Sequence, residues 1–188
     1  MFFILYISYF KINFRYDFLD KLHTKIPHMI SLWDDDALGF AKATNAGIKQ
    51  ARTDKIVLLN NDTLILGNNW LDRLDVGDIS AVLTKYSPIT KSYFGVFFCV
   101  MIQKRVLDTI GLLNEQYAVG GCEDIDFCHL AELNGFKIVE LKNNILSKCF
   151  INSFSTKGDT KIGITFNDFM VFCLSFSTTV IHIFLFNS

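Results

Sequence analysis

The chain has 188 residues, of which 51% are hydrophobic and 20% charged, so it can bury a core and is too apolar for a disordered protein. Its formal net charge is −1 and it contains no long basic run, which argues against a nucleic-acid partner held through many phosphates. The five cysteines are odd in number and lack CxxC spacing, which disfavours a zinc site and a disulfide framework.

Short strands and helices are predicted to alternate along the chain. The expected strands are residues 2–10, 28–33, 55–60, 93–103 and 137–141, and the expected helices are residues 18–25, 39–51, 69–74, 104–110 and 123–134. The run from Ile56 to Leu59 is apolar throughout, which is typical of a parallel strand buried on both faces. The alternation predicts one α/β domain over residues 1–150, with a mostly parallel central sheet flanked by helices.

The C-terminal residues 151–188 are predicted to form an apolar extension of this domain. Residues 169–186 carry no charge, and their number lies at the lower limit for a helix that spans a membrane. Two interpretations stay open: a buried helix or strand pair, and a segment that associates with a membrane. The predicted location is cytoplasmic, and it becomes peripheral to a membrane under the second interpretation.

A first candidate site follows the strand expected at residues 55–60. Asn60, Asn61 and Asp62 would lie at the carboxyl end of that strand, where open α/β sheets gather their ligands. A carboxylate there can hold a hard divalent cation through oxygen. Asn and Asp also favour turns, so a purely structural turn is the alternative.

A second candidate site lies where the helix at residues 123–134 begins. Glu123 or Asp124 could take the proton from an attacking hydroxyl group, and Gly120 and Gly121 would let the backbone approach a bulky ligand. Carboxylates at a helix start are also favoured by the helix dipole and can cap the helix. The structural interpretation of these residues therefore stays open beside the catalytic one.

Several stretches, taken in order, resemble segments of glycosyltransferase family 2. The stretch GFAKATNAGI at Gly39–Ile48 resembles the family's GFA-x-A-x-N-x-G segment, and residues 56–62 resemble the following strand with its metal-binding Asp. Residues 95–106 and 111–115 resemble its glycine-led strand and GLFDE segment. Residues 120–128 and 134–138 are similar to its G-x-EDxDL and GY-K-I segments. The resemblance covers about residues 37–142 and keeps their order and spacing.

The resemblance implies a GT-A-like fold and a hexosyltransferase that acts by metal-assisted, inverting displacement. The donor would be a UDP-, GDP- or dTDP-linked sugar, and the acceptor a glycan or a lipid-linked molecule. Mn²⁺ or Mg²⁺ would bind at Asp62, with Asp124 as the catalytic base and Glu123 orienting the acceptor. The substrate-binding positions implied are Gly39, Lys42, Asn45, Asn61, Gly95, Gly120 and Gly121.

The segment before Gly39 departs from the family pattern. It has neither the PxYN nor the DNxSxD motif that hold the base and the ribose in the family, so the usual first nucleotide-binding strands are expected to be missing. This N-terminal truncation leaves a second hypothesis open, a catalytically inactive glycosyltransferase-like module that binds or supports a partner.

Overall fold

The computed structural model describes residues 2–9, 30–34, 38–60, 69–117, 121–141, 163–166, 169–172 and 179–186. Within these ranges the helices are α1 (Gly39–Ile48), α2 (Trp70–Leu74), α3 (Lys104–Ile110) and α4 (Glu123–Leu133), with a short 3-10 helix at Glu115–Tyr117. The strands are β1 (Phe2–Tyr9), β2 (Ile30–Asp34), β3 (Lys55–Asn60), β4 (Ile79–Ala81), β5 (Thr84–Ser87), β6 (Ser92–Gly95), β7 (Cys99–Gln103), β8 (Ile138–Glu140), β9 (Gly163–Phe166), β10 (Phe169–Phe172) and β11 (Thr179–Phe186).

One mixed sheet organises the described residues, with the strand order β2-β11-β1-β3-β7-β4-β8. Two of its neighbouring pairs are parallel, β1 with β3 and β4 with β8. The other pairs are antiparallel: β2 with β11, β11 with β1, β3 with β7, and β7 with β4. The predicted α/β class is therefore confirmed, whereas the prediction of a mostly parallel sheet is wrong.

The directions of β7 and β11 explain this error, since each strand accounts for two of the four antiparallel pairs. β7 lies between β3 and β4 and runs antiparallel to both. The chain reaches it from β4 through the antiparallel hairpin of β5 and β6, and not through the crossover that a parallel neighbour needs. The apolar run of β3 correctly predicted burial, since Ile56–Leu59 is buried throughout, but burial on both faces does not reveal the direction of the neighbouring strand.

The pleat of the central strands divides their side chains between two faces. On one face, strand side chains pack with side chains of α1, α3 and α4 in a single buried cluster. The strand residues of this cluster include Ile56, Leu58, Ile79, Ala81, Val100 and Ile102. Because side chains alternate along a strand, Val57, Leu59 and Met101 lie on the opposite face, and they are buried too. Trp70 and Leu74 of α2 are buried outside the first cluster. The sheet is therefore shielded from solvent on both faces in this region.

Most expected elements are confirmed to within a few residues, including β1, β3 and all of α1 to α4. The single strand expected at residues 93–103 is wrong: the chain turns at residues 96–98, which leaves β6 in the hairpin and puts β7 in the main sheet. β4 and β5 were missed because runs of 3 and 4 residues are too short to show a period. The helix expected at residues 18–25 lies outside the described residues.

The apolar C-terminal segment contributes strands. β11 pairs with both β1 and β2 in the main sheet, and β10 pairs with β9, so the helical interpretation of residues 169–172 and 179–186 is wrong. None of the helices within the described ranges is long and apolar enough to cross a membrane. The domain boundary at residue 150 stays a prediction, although β11 lies within the same sheet as β3.

Candidate functional site

Three segments of the chain meet at the amino-terminal end of α4. They are the loop at residues 96–98, the 3-10 helix with the residues just before it, and residues 121–126. The backbone of Phe97 bonds to Asp124, and Asn114 Nδ2 donates to Asp126 Oδ2 over 3.4 Å. This region, which we call the α4 start, holds the predicted catalytic residues Glu123 and Asp124.

The carboxyl group of Asp124 is half-buried at the α4 start. Its Oδ1 accepts a hydrogen bond from the backbone N–H of Ile125 over 2.9 Å, and its own N–H and that of Phe97 also bond to the carboxyl group. Burial raises the pKa of Asp124, and the neighbouring charge of Glu123 adds to the rise, while the backbone hydrogen bonds oppose it. The burial effect prevails, so Asp124 takes up a proton more readily than an exposed aspartate.

Glu123 is more deeply placed, with 8% of its surface exposed. Its Oε2 accepts the backbone N–H of Gly121. The turn between them is unusual because Cys122 has a φ of 75° and Gly121 a φ of 125°. Positive φ is costly for a residue with a side chain, so the bond to Glu123 helps to hold this turn. Glu123 therefore has a structural role here, and its catalytic role stays a prediction.

Tyr117 and Asn114 belong to the α4 start but were missed by the sequence analysis. Burial, and then the charges of Asp126, Cys122 and Glu123, raise the pKa of the Tyr117 hydroxyl group, which places a phenol beside the acidic helix start. The sequence signal was weak: an aromatic residue two positions after the segment that resembles GLFDE. Tyr117 stays protonated at neutral pH and can donate a hydrogen bond to a bound hydroxyl group.

Asn45 has its side-chain amide engaged within the protein. It is 2% exposed on α1, and its Nδ2 donates to the carbonyl of Leu113 over 2.8 Å and to Glu115 Oε1 over 2.9 Å. Its Oδ1 accepts the N–H of Leu113 over 3.0 Å. We call this set of bonds the Asn45 clamp. Both donors of the amide are used, so the clamp ties α1 to the segment that leads to the α4 start, and the predicted substrate contact of Asn45 stays a prediction.

The end of β3 adjoins the same loop as Asp124. The N–H of Asn60 donates to the carbonyl of Phe98 over 2.8 Å, one residue from the backbone group that bonds Asp124. The carboxyl end of β3 therefore comes close to the α4 start. Asn61, Asp62 and Gly120 lie outside the residues that the structure describes, and their roles stay predictions.

The remaining predicted substrate-binding residues occupy different surroundings. Gly39 is buried at the first residue of α1 with a φ of 75°, a conformation that favours glycine, whereas Lys42 is exposed. A Cβ added to Gly95 would lie 2.8 Å from the Cβ of Ala81, so this glycine lets β6 pass closely over β4. Packing alone explains Gly95, and its contact with a sugar stays a prediction.

A metal site is not complete among the residues whose positions are described. Those residues contain no group of three or more His, Cys, Asp or Glu side chains that could hold a metal ion. Glu123 is bonded to the Gly121 backbone, and Asp124 is bonded to backbone N–H groups, so these carboxylates do not fit a metal site by themselves. Binding of Mn²⁺ or Mg²⁺ stays a prediction that depends on Asp62.

A cavity of about 670 Å³ lies beside the edge strand β8, lined by Arg73, Val76, Ile138, Val139, Glu140 and Leu141. None of the predicted site residues is among them. The carboxyl group of Glu140 is already used, because it accepts the N–H of Thr84 over 3.0 Å and also the Thr84 hydroxyl group. The cavity therefore gives no support to the predicted donor or acceptor site.

Comparisons with known proteins do not test the family. No protein-family model matches the chain, and no curated protein matches its sequence significantly. The resemblance to glycosyltransferase family 2 thus depends on the sequence segments alone.

Proposed function

We propose that the chain is a GT-A-like glycosyltransferase domain of the family 2 type, which transfers a sugar from a nucleotide-sugar donor to a glycan or lipid-linked acceptor. The observation that carries the proposal is the carboxyl group of Asp124. It is half-buried at a helix start, its pKa is raised, and it adjoins the same loop as the end of β3. A general base next to the ligand-binding edge of a sheet suits this reaction.

In the proposed reaction Asp124 is the general base. Its carboxylate takes the proton of the acceptor hydroxyl group while that oxygen attacks the anomeric carbon, and the nucleoside diphosphate leaves from the opposite face. The bond to the new oxygen forms as the bond to the diphosphate breaks, so the configuration inverts. A base is more effective when its pKa approaches the working pH, and burial shifts Asp124 in that direction. In this proposal the hydroxyl group of Tyr117 orients the acceptor.

The charge of the α4 start bears on how the donor binds. Glu123, Asp124 and Asp126 all lie in the first turn of α4, and they would repel a diphosphate placed beside them. A divalent cation at Asp62 would neutralise that diphosphate and belongs to the same proposal. The proton transfer at Asp124 is argued from the chain's own residues and does not depend on the ion.

A non-catalytic glycosyltransferase-like module is the second candidate. It is favoured by the roles of Asn45, Glu123 and Gly95, since each is explained by contacts inside the protein. Under this proposal the α4 start is a structural junction, and the chain binds or supports a partner without turnover.

Donor binding separates the two candidates. Isothermal titration calorimetry of the full chain with UDP, GDP and dTDP in the presence of Mn²⁺ should show binding of at least one nucleotide if the chain is an enzyme. Asp62→Ala should weaken the part of that binding that requires the ion. If none of the nucleotides binds, the enzyme proposal is rejected and the module remains.

The base assignment is tested with the donor that calorimetry identifies. Asp124→Asn should lower turnover by about 100-fold or more, with donor affinity nearly unchanged, because a single positioned base contributes about that much. Asp126→Asn is the matched control, since it removes the same charge from the same turn of α4. An equal loss in both variants would show that charge or folding, and not a base at Asp124, controls the rate.

A further inference from the structure

The hairpin of β5 and β6, residues 84–95, presents aromatic and aliphatic side chains to solvent. Tyr86 and Tyr93 are a cross-strand pair whose rings meet edge to face, with centroids 5.4 Å apart and planes at 67°. They are 54% and 61% exposed. Ile89, in the turn between the strands, is 82% exposed, which is the highest value among the exposed large hydrophobic side chains of the described ranges. Several exposed apolar side chains close together are typical of an interaction surface.

The turn that presents Ile89 is held by its own hydrogen bonds. The buried hydroxyl group of Ser87 accepts the N–H of Thr90 over 3.2 Å, and the Ser92 hydroxyl group donates to Thr90 Oγ1 over 3.1 Å. Lys91 closes the turn in the left-handed region, with a φ of 54°. Ile89 is therefore exposed by a defined turn, and its side chain projects from the end of the hairpin.

The charge of the hairpin differs from that of the whole chain. Residues 84–95 contain Lys85 and Lys91 and no acidic residue, whereas the chain has a net charge of −1. Both lysines are exposed, and neither has an ion pair within the part of the chain that the structure describes. The hairpin thus combines an apolar tip, an aromatic pair and two uncompensated positive charges.

We propose that the tip of this hairpin docks on the surface of an anionic lipid bilayer. Ile89 enters the boundary between headgroups and acyl chains, and the lysines attract the anionic headgroups. Tyr86 and Tyr93 stand one residue back from the turn ends of their strands, about 3.4 Å along the hairpin. This puts their amphipathic rings at headgroup level, where tyrosine is favoured.

A lipid surface accounts for more of the hairpin than a glycan does. A sugar could stack on Tyr86 or Tyr93, but it would leave Ile89 and the two lysines without a partner. The membrane proposal also stands apart from the proposed glycosyl transfer, because it uses no residue of the α4 start. Its test needs no enzymatic activity, so the two proposals can fail separately.

Sedimentation of the full chain with lipid vesicles tests the proposal. The chain should bind vesicles of equal parts phosphatidylcholine and phosphatidylserine, and not phosphatidylcholine alone, and added salt should weaken the binding. Lys85→Gln with Lys91→Gln should lower the partition coefficient by roughly 25-fold, on the basis of about fivefold for each lysine. Ile89→Asn should lower it by about tenfold, because the apolar side chain no longer leaves water.

Matched controls lie elsewhere on the surface. Lys49→Gln with Lys137→Gln removes the same charge from other exposed positions, and Leu133→Asn removes an apolar side chain that is 70% exposed. These variants should bind the anionic vesicles as the unaltered chain does. The proposal is overturned if the unaltered chain binds neither kind of vesicle, if it binds both equally, or if hairpin and control variants behave alike. Binding of neutral oligosaccharides that requires Tyr86 and Tyr93, without vesicle binding, would instead identify a carbohydrate surface.

Discussion

The Asn45 clamp and the carboxyl group of Asp124 are both polar and at least half-buried, and they differ in how far hydrogen bonds offset the cost of burial. Both amide hydrogens of Asn45 and its oxygen have partners in the segment at residues 113–115. Asp124 also accepts backbone hydrogen bonds, yet burial outweighs them and its pKa is raised. A buried amide whose hydrogen bonds are all made stabilises the fold. A carboxyl group takes up a proton more readily when the cost of burying its charge exceeds the gain from its hydrogen bonds.

The largest effect is expected from breaking the clamp. Asn45→Ala leaves the buried N–H and carbonyl of Leu113 without the side-chain partners they have now, so the free energy of unfolding should fall by about 2–4 kcal/mol. Urea denaturation followed by circular dichroism measures this loss. Asn69→Ala is the control, because Asn69 is exposed and makes no side-chain cap bond to α2, and its effect should stay within about 0.5 kcal/mol. Similar losses in the two variants would contradict the clamp.

A somewhat smaller effect is expected where β6 crosses β4, just before the loop that carries the Asp124 contact. Gly95→Ala puts a methyl group 2.8 Å from Ala81 Cβ, and overpacking of this kind costs about 1–3 kcal/mol. Adding Ala81→Gly should recover part of the loss by making room. A double-mutant cycle measured by denaturation tests the contact, and strictly additive losses would exclude it.

Cys128 lies one turn along α4 from Asp124, and its buried thiol should make the free energy of unfolding fall at alkaline pH. Burial raises the pKa of its thiol from the ordinary 9.0 to about 12, and a hydrogen bond with the Gly95 backbone opposes the rise only in part. The stability from this group is complete below pH 9 and is lost as the pH rises towards 12, because only the unfolded chain then releases the proton. We expect a slope of up to about 1.4 kcal/mol per pH unit.

Unfolding measured on either side of pH 9 checks this slope. Cys128→Ala should remove the slope that begins just above pH 9, apart from a constant loss for the smaller side chain, while the raised pKa of Tyr117 adds its own loss only above pH 10. Cys122→Ala should leave the slope in place, since Cys122 is exposed. A slope that persists in Cys128→Ala would assign the alkaline loss to another group.

The smallest effect is expected at Asp124 itself, and its sign is opposite to that at Asn45. Because the folded pKa is raised above the ordinary 3.8, the stability linked to this carboxyl group is complete below that pH and is lost as the pH rises through the folded pKa. At neutral pH, Asp124→Asn should therefore be neutral or stabilising by roughly 0.5 kcal/mol. Denaturation at neutral pH and near pH 3.8 measures the difference, and a clear destabilisation at neutral pH would show that the backbone hydrogen bonds prevail.

The order of α1, β3, α3 and α4 could be predicted from the sequence because each has a local signal. Alanines spaced along Gly39–Ile48 favour a helix packed closely on a sheet, and α1 is buried along most of its length. Gly111 and Gly135 follow α3 and α4 and adopt positive φ values of 87° and 82°, as helix ends favour. These features depend on neighbours within a few residues, which a sequence displays directly.

The sequence by itself determined the α/β class, the buried character of β3 and the acidic start of α4. The tertiary structure decided the direction of β7, the passage of Gly95 over Ala81 and the bonds that join Asn45 to Leu113, 68 residues away. It also decided that burial of Asp124 outweighs its hydrogen bonds. Helix ends and apolar runs reflect local preferences, whereas strand direction, close packing and pKa depend on which distant segments the folded chain brings together.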